Sequence, residues 1–148
     1  MTPTPPPPQE NSNGALHQKD VITIIRDSVA KSGQDVEMFL RKLATLLKDP
    51  NNRLVQFGNM VLLAQRKSDD VIEFHTFSDE KNPMNLMRNY IGAAKMAKNQ
   101  GYKKAITYAD NPAFVELAKR TGLNVKIGQA PKVQGGVAKP MYTFEVDL

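Results

Sequence analysis

NPAFVELAKRTGL, residues Asn111–Leu123, contains a complete set of signals for one short helix. Asn111 is a typical N-cap residue, and Pro112 suits the first helical turn, where no backbone N–H is needed. Gly122 is typical of the residue after a helix, because glycine adopts the left-handed backbone conformation without strain. The segment therefore predicts a turn, a helix and a sharp end.

The same start signal occurs earlier in the chain, at Asn82-Pro83, and predicts a longer helix that ends at Gly101. Between the two helices, Lys104–Ala109 has the apolar character of a short buried strand. A right-handed crossover through the longer helix places this strand parallel to Val71–Phe77. The predicted buried side of the longer helix consists of Met87, Tyr90, Ile91, Ala94 and Ala97.

Three short strands precede the longer helix. Leu54–Phe57 and Met60–Arg66 are joined by Gly58-Asn59, a typical two-residue hairpin, and the chain then turns into Val71–Phe77. These strands predict an antiparallel meander. Two further strands, Leu123–Ile127 and Met141–Val146, are predicted around a loop at Gly135-Gly136.

Two helices are predicted before the meander. Asp35 is a typical N-cap for a helix that continues to Lys48 and is stopped by Pro50. Its apolar stripe comprises Val36, Phe39, Leu40, Leu43 and Leu47. Residues 20–32 have helical spacing, although their β-branched content leaves a strand open. The order of elements predicts an α+β (α/β-like) domain with a mixed, mostly antiparallel sheet and helices on both faces.

Residues 1–18 differ in composition from the rest of the chain. They include the proline run Pro5–Pro8 and almost no apolar residues, so they cannot bury enough surface to offset the entropy of ordering. We expect a disordered, proline-rich arm at 1–18 and a single domain at 19–148. Such an arm is suited to ordering against other proteins, including neighbouring subunits of an assembly.

The composition of the 148 residues excludes several classes of protein. There is no cysteine, and the only histidines are His17 and His75, so disulfides, thiol nucleophiles and zinc fingers are excluded and no metal site is expected. No apolar run is long enough for a membrane span, and no secretory signal is visible. We therefore expect a protein that is neither secreted nor bound to a membrane.

Positive charge is concentrated in one part of the chain. Between Glu80 and Asp110 there are several lysines and an arginine but no acidic residue. Within it, Arg88, Lys95 and Lys98 form a basic strip that is a candidate surface for nucleic acid. The alternative interpretation is an ordinary solvated helix face.

The order of elements over about Asp35 to Leu148 resembles the GNAT family of acetyl-CoA-dependent N-acetyltransferases. The helix at 111–123 keeps the frame of that family's last helix, with Asn111, Leu117 and Gly122-Leu123 at matching positions. The resemblance implies that the backbone before the long helix pairs with the pantetheine arm of the cofactor. The residues concerned are His75, Thr76, Phe77 and Ser78, with Asn111 also facing the pantetheine.

The resemblance also implies a pyrophosphate-binding turn at Lys81–Leu86, which reads KNPMNL. The family pattern there is Gln or Arg, then glycine, then glycine or alanine, because the backbone must approach the phosphates closely. Here Met84 and Leu86 stand at the glycine positions, and Pro83 lacks an N–H. The remaining candidates for phosphate contact are Lys81 and the backbone amides of Met84, Asn85 and Leu86.

The candidate catalytic residues are few. At the position of the family's general-acid tyrosine stands Ala118, which can neither donate a proton nor bond a thiolate. Glu73 and His75 share one face of a strand where the resemblance implies that an acceptor amine enters, so either is a candidate general base. The alternative is that both are ordinary residues on a partly open sheet face.

The loss of the glycine turn and of the tyrosine favours a catalytically silent GNAT-like domain that acts as a structural or accessory protein and has no cofactor. Small GNAT-like proteins of tailed bacteriophages show a similar pattern, so we expect a virion component or a protein of the host cytoplasm. The alternative is an active N-acetyltransferase that uses acetyl-CoA through an atypical turn. A third hypothesis is a nucleic-acid-binding accessory protein.

Overall fold

A computed structural model of the protein describes residues 20–134 and 137–148, with backbone alone for 131–140. The arm predicted at 1–18 and the loop at Gly135-Gly136 lie outside the described residues. Within them the helices are α1 (Val21–Lys31), α2 (Val36–Leu46), α3 (Pro83–Asn99) and α4 (Ala113–Arg120). The strands are β1 (Asn52–Phe57), β2 (Met60–Arg66), β3 (Val71–Ser78), β4 (Lys104–Ala109), β5 (Asn124–Gln134) and β6 (Val137–Asp147).

The first two helices begin at aspartate caps. The Asp20 carboxylate accepts a hydrogen bond from the Thr23 amide at 2.8 Å, and the Asp35 carboxylate accepts one from the Met38 amide at 3.0 Å. Each cap satisfies an amide that has no partner within its helix. Residues 21–31, for which the sequence allowed a helix or a strand, are therefore helical.

The six strands form one sheet in the order β1-β2-β3-β4-β6-β5. The β3–β4 pair is parallel, as the crossover through α3 predicts, and the other neighbouring pairs are antiparallel. This arrangement confirms the predicted α+β class with a mixed, mostly antiparallel sheet. Between 20 and 134 and between 137 and 148, no helix is long and apolar enough to cross a bilayer.

Helices cover the sheet on both faces because alternate strand residues point to opposite sides. On one face, α1 and α2 pack against Val61, Leu63 and Phe77. On the other face, α3 packs against residues of β2, β3 and β4, and Phe114 of α4 packs against the same cluster. The buried members of that second cluster are Met60, Leu62, Ala64, Ile72, Phe74, Leu86, Ala93, Ala97 and Ala105.

Some predicted boundaries and faces differ from the structure. Strands β5 and β6 are longer than Leu123–Ile127 and Met141–Val146, because their ladder continues to the pair Gln134↔Val137. Helix α4 begins at Ala113, so Asn111 lies one residue before the cap position, although its side chain still accepts a hydrogen bond from the Ala113 amide at 2.9 Å. On α3, Leu86 and Ala93 are buried, whereas three residues assigned to the buried side are only half-buried: Met87, Tyr90 and Ile91.

Candidate functional site

Strands β3 and β4 pair over only part of their length. Their register runs from Val71↔Lys104 to Phe74↔Thr107, whereas β3 continues to Ser78 and β4 to Ala109. At the last pair the Thr107 hydroxyl donates a hydrogen bond to the Phe74 carbonyl at 3.0 Å. Within the described chain, the later residues of β3 are in register with β2 and those of β4 with β6. The two central strands therefore diverge and leave an opening between them.

A polar cluster lies on the sheet face that α1 and α2 partly cover, beside this opening. The Tyr108 hydroxyl donates a hydrogen bond to Oε1 of Glu73 at 2.8 Å, and Nε2 of His75 lies 2.8 Å from Oε2 of the same carboxylate. Nε2 of His75 also lies 2.9 Å from Oε1 of Gln65, and Nζ of Lys67 lies 3.7 Å from Oε2 of Glu73. The His75 and Tyr108 rings stack with centroids 5.9 Å apart.

The environment of this cluster changes the acidity of two of its members. Burial raises the pKa of the Glu73 carboxyl, but the hydrogen bonds from Tyr108 and His75 and the nearby positive charge outweigh it, so the pKa is below its ordinary value. Burial, followed by the hydrogen bond to Glu73 and the charges of Glu73 and Glu145, raises the pKa of Tyr108 to about 12. Glu73 is therefore a weak base and Tyr108 a weak acid.

The contacts of His75 determine which of its nitrogens can take a proton. Both oxygens that face Nε2 are acceptors, so Nε2 carries a hydrogen, and the lone pair of the neutral ring is on Nδ1. The His75 side chain remains 29% exposed. Of the two predicted base candidates, Glu73 is thus placed to orient the ring of His75 through Nε2.

At the start of α3, where the resemblance implies a pyrophosphate-binding turn, backbone amides donate to oxygens of the protein itself. Oε2 of Glu80 accepts hydrogen bonds from the amides of Lys81 at 3.1 Å and Asn82 at 3.2 Å. The Asn82 side chain accepts one from the Met84 amide at 2.9 Å, and the Asn82 carbonyl accepts one from the Leu86 amide at 3.1 Å. These amides point to oxygens of the chain itself.

Further contacts fix this turn in place. Oε1 of Glu80 accepts a hydrogen bond from the Asn85 side chain at 3.2 Å, and the Ser78 hydroxyl accepts one from the Glu80 amide at 3.1 Å. The neighbouring Asp79 forms a 2.9 Å ion pair with Lys31 of α1. The turn is thus tied both to the first turn of α3 and to the opposite face of the sheet.

The other candidate cofactor contacts are distributed between surface and core. Lys81 and Met84 are exposed, with Met84 at 53%, whereas Leu86 is 8% exposed and belongs to the core under α3. The Thr76 hydroxyl accepts a hydrogen bond from Tyr90 at 3.0 Å, and Phe77 packs edge-on against Phe39 of α2.

The residues at this turn do not fit the pyrophosphate of acetyl-CoA. A phosphate needs amides that point outwards and a backbone without large side chains. Here the amides of Lys81 and Asn82 bind a carboxylate, residue 83 has no N–H, and the Glu80 charge repels a second anion. The start of α3 attracts negative charge, and the Glu80 carboxylate of the same chain supplies it.

Ala118 and the basic strip lie elsewhere. Ala118 borders an apolar space between α3, α4 and the sheet, together with Leu117. Arg88, Lys95 and Lys98 are all exposed on α3. The structure therefore brings the two base candidates together and separates them from the basic strip.

Known proteins share this architecture but not this sequence. No protein-family model and no curated protein matches the chain. A probable acetyltransferase (GNAT family) from Chromobacterium violaceum superposes with a TM-score of 0.63 at 15% identity, over 92% of this chain and 84% of that one. The ribosomal-protein-alanine N-acetyltransferase of Brucella melitensis superposes with a TM-score of 0.59 at 12% identity, over 86% of this chain and 92% of that one.

A third solved structure extends the comparison. A mutant of the spermidine N-acetyltransferase of Vibrio cholerae superposes with a TM-score of 0.57 at 11% identity, over 76% of this chain and 75% of that one. At such identities the likeness shows that this chain has the GNAT fold, and it shows nothing about activity.

Proposed function

We propose that this protein is a GNAT-fold domain without acetyltransferase activity that acts by binding, as a structural or accessory protein. The observation that carries the proposal is the Glu80 carboxylate, which accepts the backbone amides of Lys81 and Asn82 at the start of α3. This carboxylate places a negative charge beside the candidate phosphate donors and repels a cofactor phosphate, and the amides of Met84 and Leu86 already donate to oxygens of Asn82.

The lack of a proton donor on α4 supports the same proposal. Ala118 occupies the position at which the resemblance places the general-acid tyrosine. Losing a general acid costs about 10²–10⁴ in rate and would not by itself abolish activity. The missing tyrosine removes support for protonation of the cofactor thiolate, and the blocked phosphate site removes support for binding of the cofactor.

Titration with acetyl-CoA tests this proposal directly. We expect no heat of binding and no change in melting temperature with acetyl-CoA at about 1 mM, because a ligand far above its dissociation constant must stabilise the folded state. A dissociation constant below about 100 µM would overturn the proposal.

A pair of matched variants tests the role of Glu80. Glu80→Ala frees two amides and removes one negative charge, so we expect weak acetyl-CoA binding to appear. Glu116→Ala removes an exposed glutamate of α4 and should leave binding undetectable. Equal behaviour of the two variants would show that Glu80 is not what excludes the cofactor.

The place in which the domain acts is proposed from the sequence resemblance. We propose association with other proteins of a bacteriophage particle, through the arm at 1–18. Mass spectrometry of purified particles tests this. Finding the protein in the particle at a fixed ratio to a known structural subunit would support the proposal, and absence from the particle would contradict it.

A second candidate function is N-acetyl transfer, and the polar cluster is the observation in its favour. Glu73 and Gln65 hold His75 Nε2, and the ring is partly exposed beside the opening between β3 and β4. Such a ring is suited to accept a proton from an amine.

An acetylation assay with a panel of amines distinguishes the two candidates. An enzyme of this kind should lose about 10²–10⁴ in rate on His75→Ala, with a smaller loss for Gln65→Ala. If the domain is catalytically silent, neither the wild type nor the two variants should transfer acetyl groups above the uncatalysed rate.

A further inference from the structure

A cavity of about 80 Å³ lies between α3, α4 and the sheet and is partly open to solvent. It is bounded by side chains from three layers of the fold. The lining includes the large side chains of Phe74, Tyr90, Phe114, Leu117, Phe144 and Val146. Its floor is β4, and its cover is α4.

The cavity exists because small residues line it and because its cover packs loosely. Five alanines border it: Ala93, Ala94, Ala105, Ala109 and Ala118. Helix α4 has no buried residue, and its inward-facing Phe114 and Leu117 are only half-buried. An under-packed apolar space loses dispersion contacts on all its walls, and an apolar occupant restores them.

The hydroxyl groups near the cavity are engaged by other parts of the protein. Tyr90 donates to Thr76 at 3.0 Å, Thr107 to the Phe74 carbonyl at 3.0 Å, and Tyr108 to Glu73 at 2.8 Å. The Thr121 hydroxyl donates to the Ala118 carbonyl at 2.7 Å. The part of a polar occupant that entered the cavity would therefore lose water contacts and find few free hydrogen-bonding groups there.

We propose that this cavity is a binding site for a small, uncharged, apolar molecule, or for the hydrocarbon end of a larger one. An apolar cavity of about 150 Å³ stays dry and binds benzene or xenon, so a volume about half as large suits xenon or a hydrocarbon of a few carbon atoms. The inference does not depend on the proposed function. Its own test uses no cofactor.

Xenon is the probe for this site. Under xenon pressure we expect chemical-shift changes in methyl NMR spectra at Leu117 and Val146, which line the cavity, and none at Leu43 in the core under α1 and α2. Acetamide, a polar molecule of similar size, should cause no such changes. Absence of the xenon shifts, or binding of acetamide in place of xenon, would overturn the proposal.

Filling the cavity provides the matched variants. Ala118→Leu should abolish the xenon shifts and raise the melting temperature by about 3–5 °C. Ala30→Leu, on the exposed side of α1, should leave the xenon shifts unchanged. If Ala118→Leu does not fold, Ala109→Val fills the same space from β4, where a β-branched residue is tolerated. Retention of xenon binding in a folded, cavity-filled variant would contradict the assignment.

Discussion

The Tyr108 hydroxyl donates a 2.8 Å hydrogen bond to Glu73 across the two parallel strands at the centre of the sheet. This bond links β3 to β4 at the point where their backbone pairing ends. It also contributes to keeping the pKa of Glu73 below its ordinary value, against the effect of burial, which raises it.

Replacing Tyr108 by Phe should raise the pKa of Glu73 and lower the unfolding free energy at neutral pH by about 1 kcal/mol. A depressed carboxyl pKa stabilises the fold above the unfolded pKa, and this contribution is lost as the pH falls through the folded pKa. The destabilisation should therefore shrink in acid, as measured by urea unfolding at about pH 7 and pH 3. Tyr142→Phe, on β6, is the control. An equal loss at both pH values would contradict the linkage to Glu73.

Tyr108 should ionise late when the protein is titrated with base. Burial and the adjacent Glu73 raise its pKa to about 12, so the part of the stability that depends on the neutral hydroxyl is complete below pH 10 and is lost as the pH rises through 12. The ultraviolet absorbance of tyrosinate measures this ionisation. Glu73→Gln should shift the late step towards pH 10, and no shift would show that burial alone sets it.

Leu86 and Met84 should differ sharply in their contribution to stability. Leu86→Ala removes a side chain that is 8% exposed in the core under α3 and should cost about 2–5 kcal/mol. Met84→Ala, at a position that is 53% exposed, should cost less than about 1 kcal/mol. Chemical denaturation of both variants measures the difference. Similar small costs would mean that the first turn of α3 is not anchored in the core.

The basic strip on α3 should behave as a solvated helix face. We expect wild type and a triple Arg88→Ala, Lys95→Ala, Lys98→Ala variant to bind a DNA duplex equally weakly at about 150 mM salt. Fluorescence anisotropy over a salt series is the measurement. Wild-type affinity that falls steeply with salt, with a slope reduced by about 2–3 in the variant, would instead support the nucleic-acid reading.

Much of the fold follows from local signals in the sequence. The bounds of β2 and β4 match the predicted strands, since both are short apolar runs between clear turns. The parallel pairing of β3 with β4 follows from the handedness of the crossover. The extension of β5 and β6 did not follow, because backbone ladders form between polar residues, glycine and proline as well as between alternating apolar ones.

The candidate site was only partly accessible from the sequence. The sequence predicted that Glu73 and His75 share a face, but not that Tyr108 joins them from 35 residues away. The parallel register of β3 and β4 would have predicted the position of Tyr108. Glu73 lies opposite Ile106, and Tyr108 is the next residue of β4 on the same face of the sheet. The role of Glu80 was not predicted, because an acidic residue before an Asn-Pro helix start looks like an ordinary polar loop residue when its hydrogen-bond partners are not known.

The position of β6 between β4 and β5 has a consequence for the order in which the sheet is assembled. β5 is synthesised before β6, yet among the described strands its register partner is β6. A nascent chain paused before Val137 would carry β5 as an unpaired segment and β4 with β3 as its one available partner, while β1 to β3 already have all their partners. Ribosome-bound chains of increasing length should therefore gain protease resistance in two steps, and the second step should require β6.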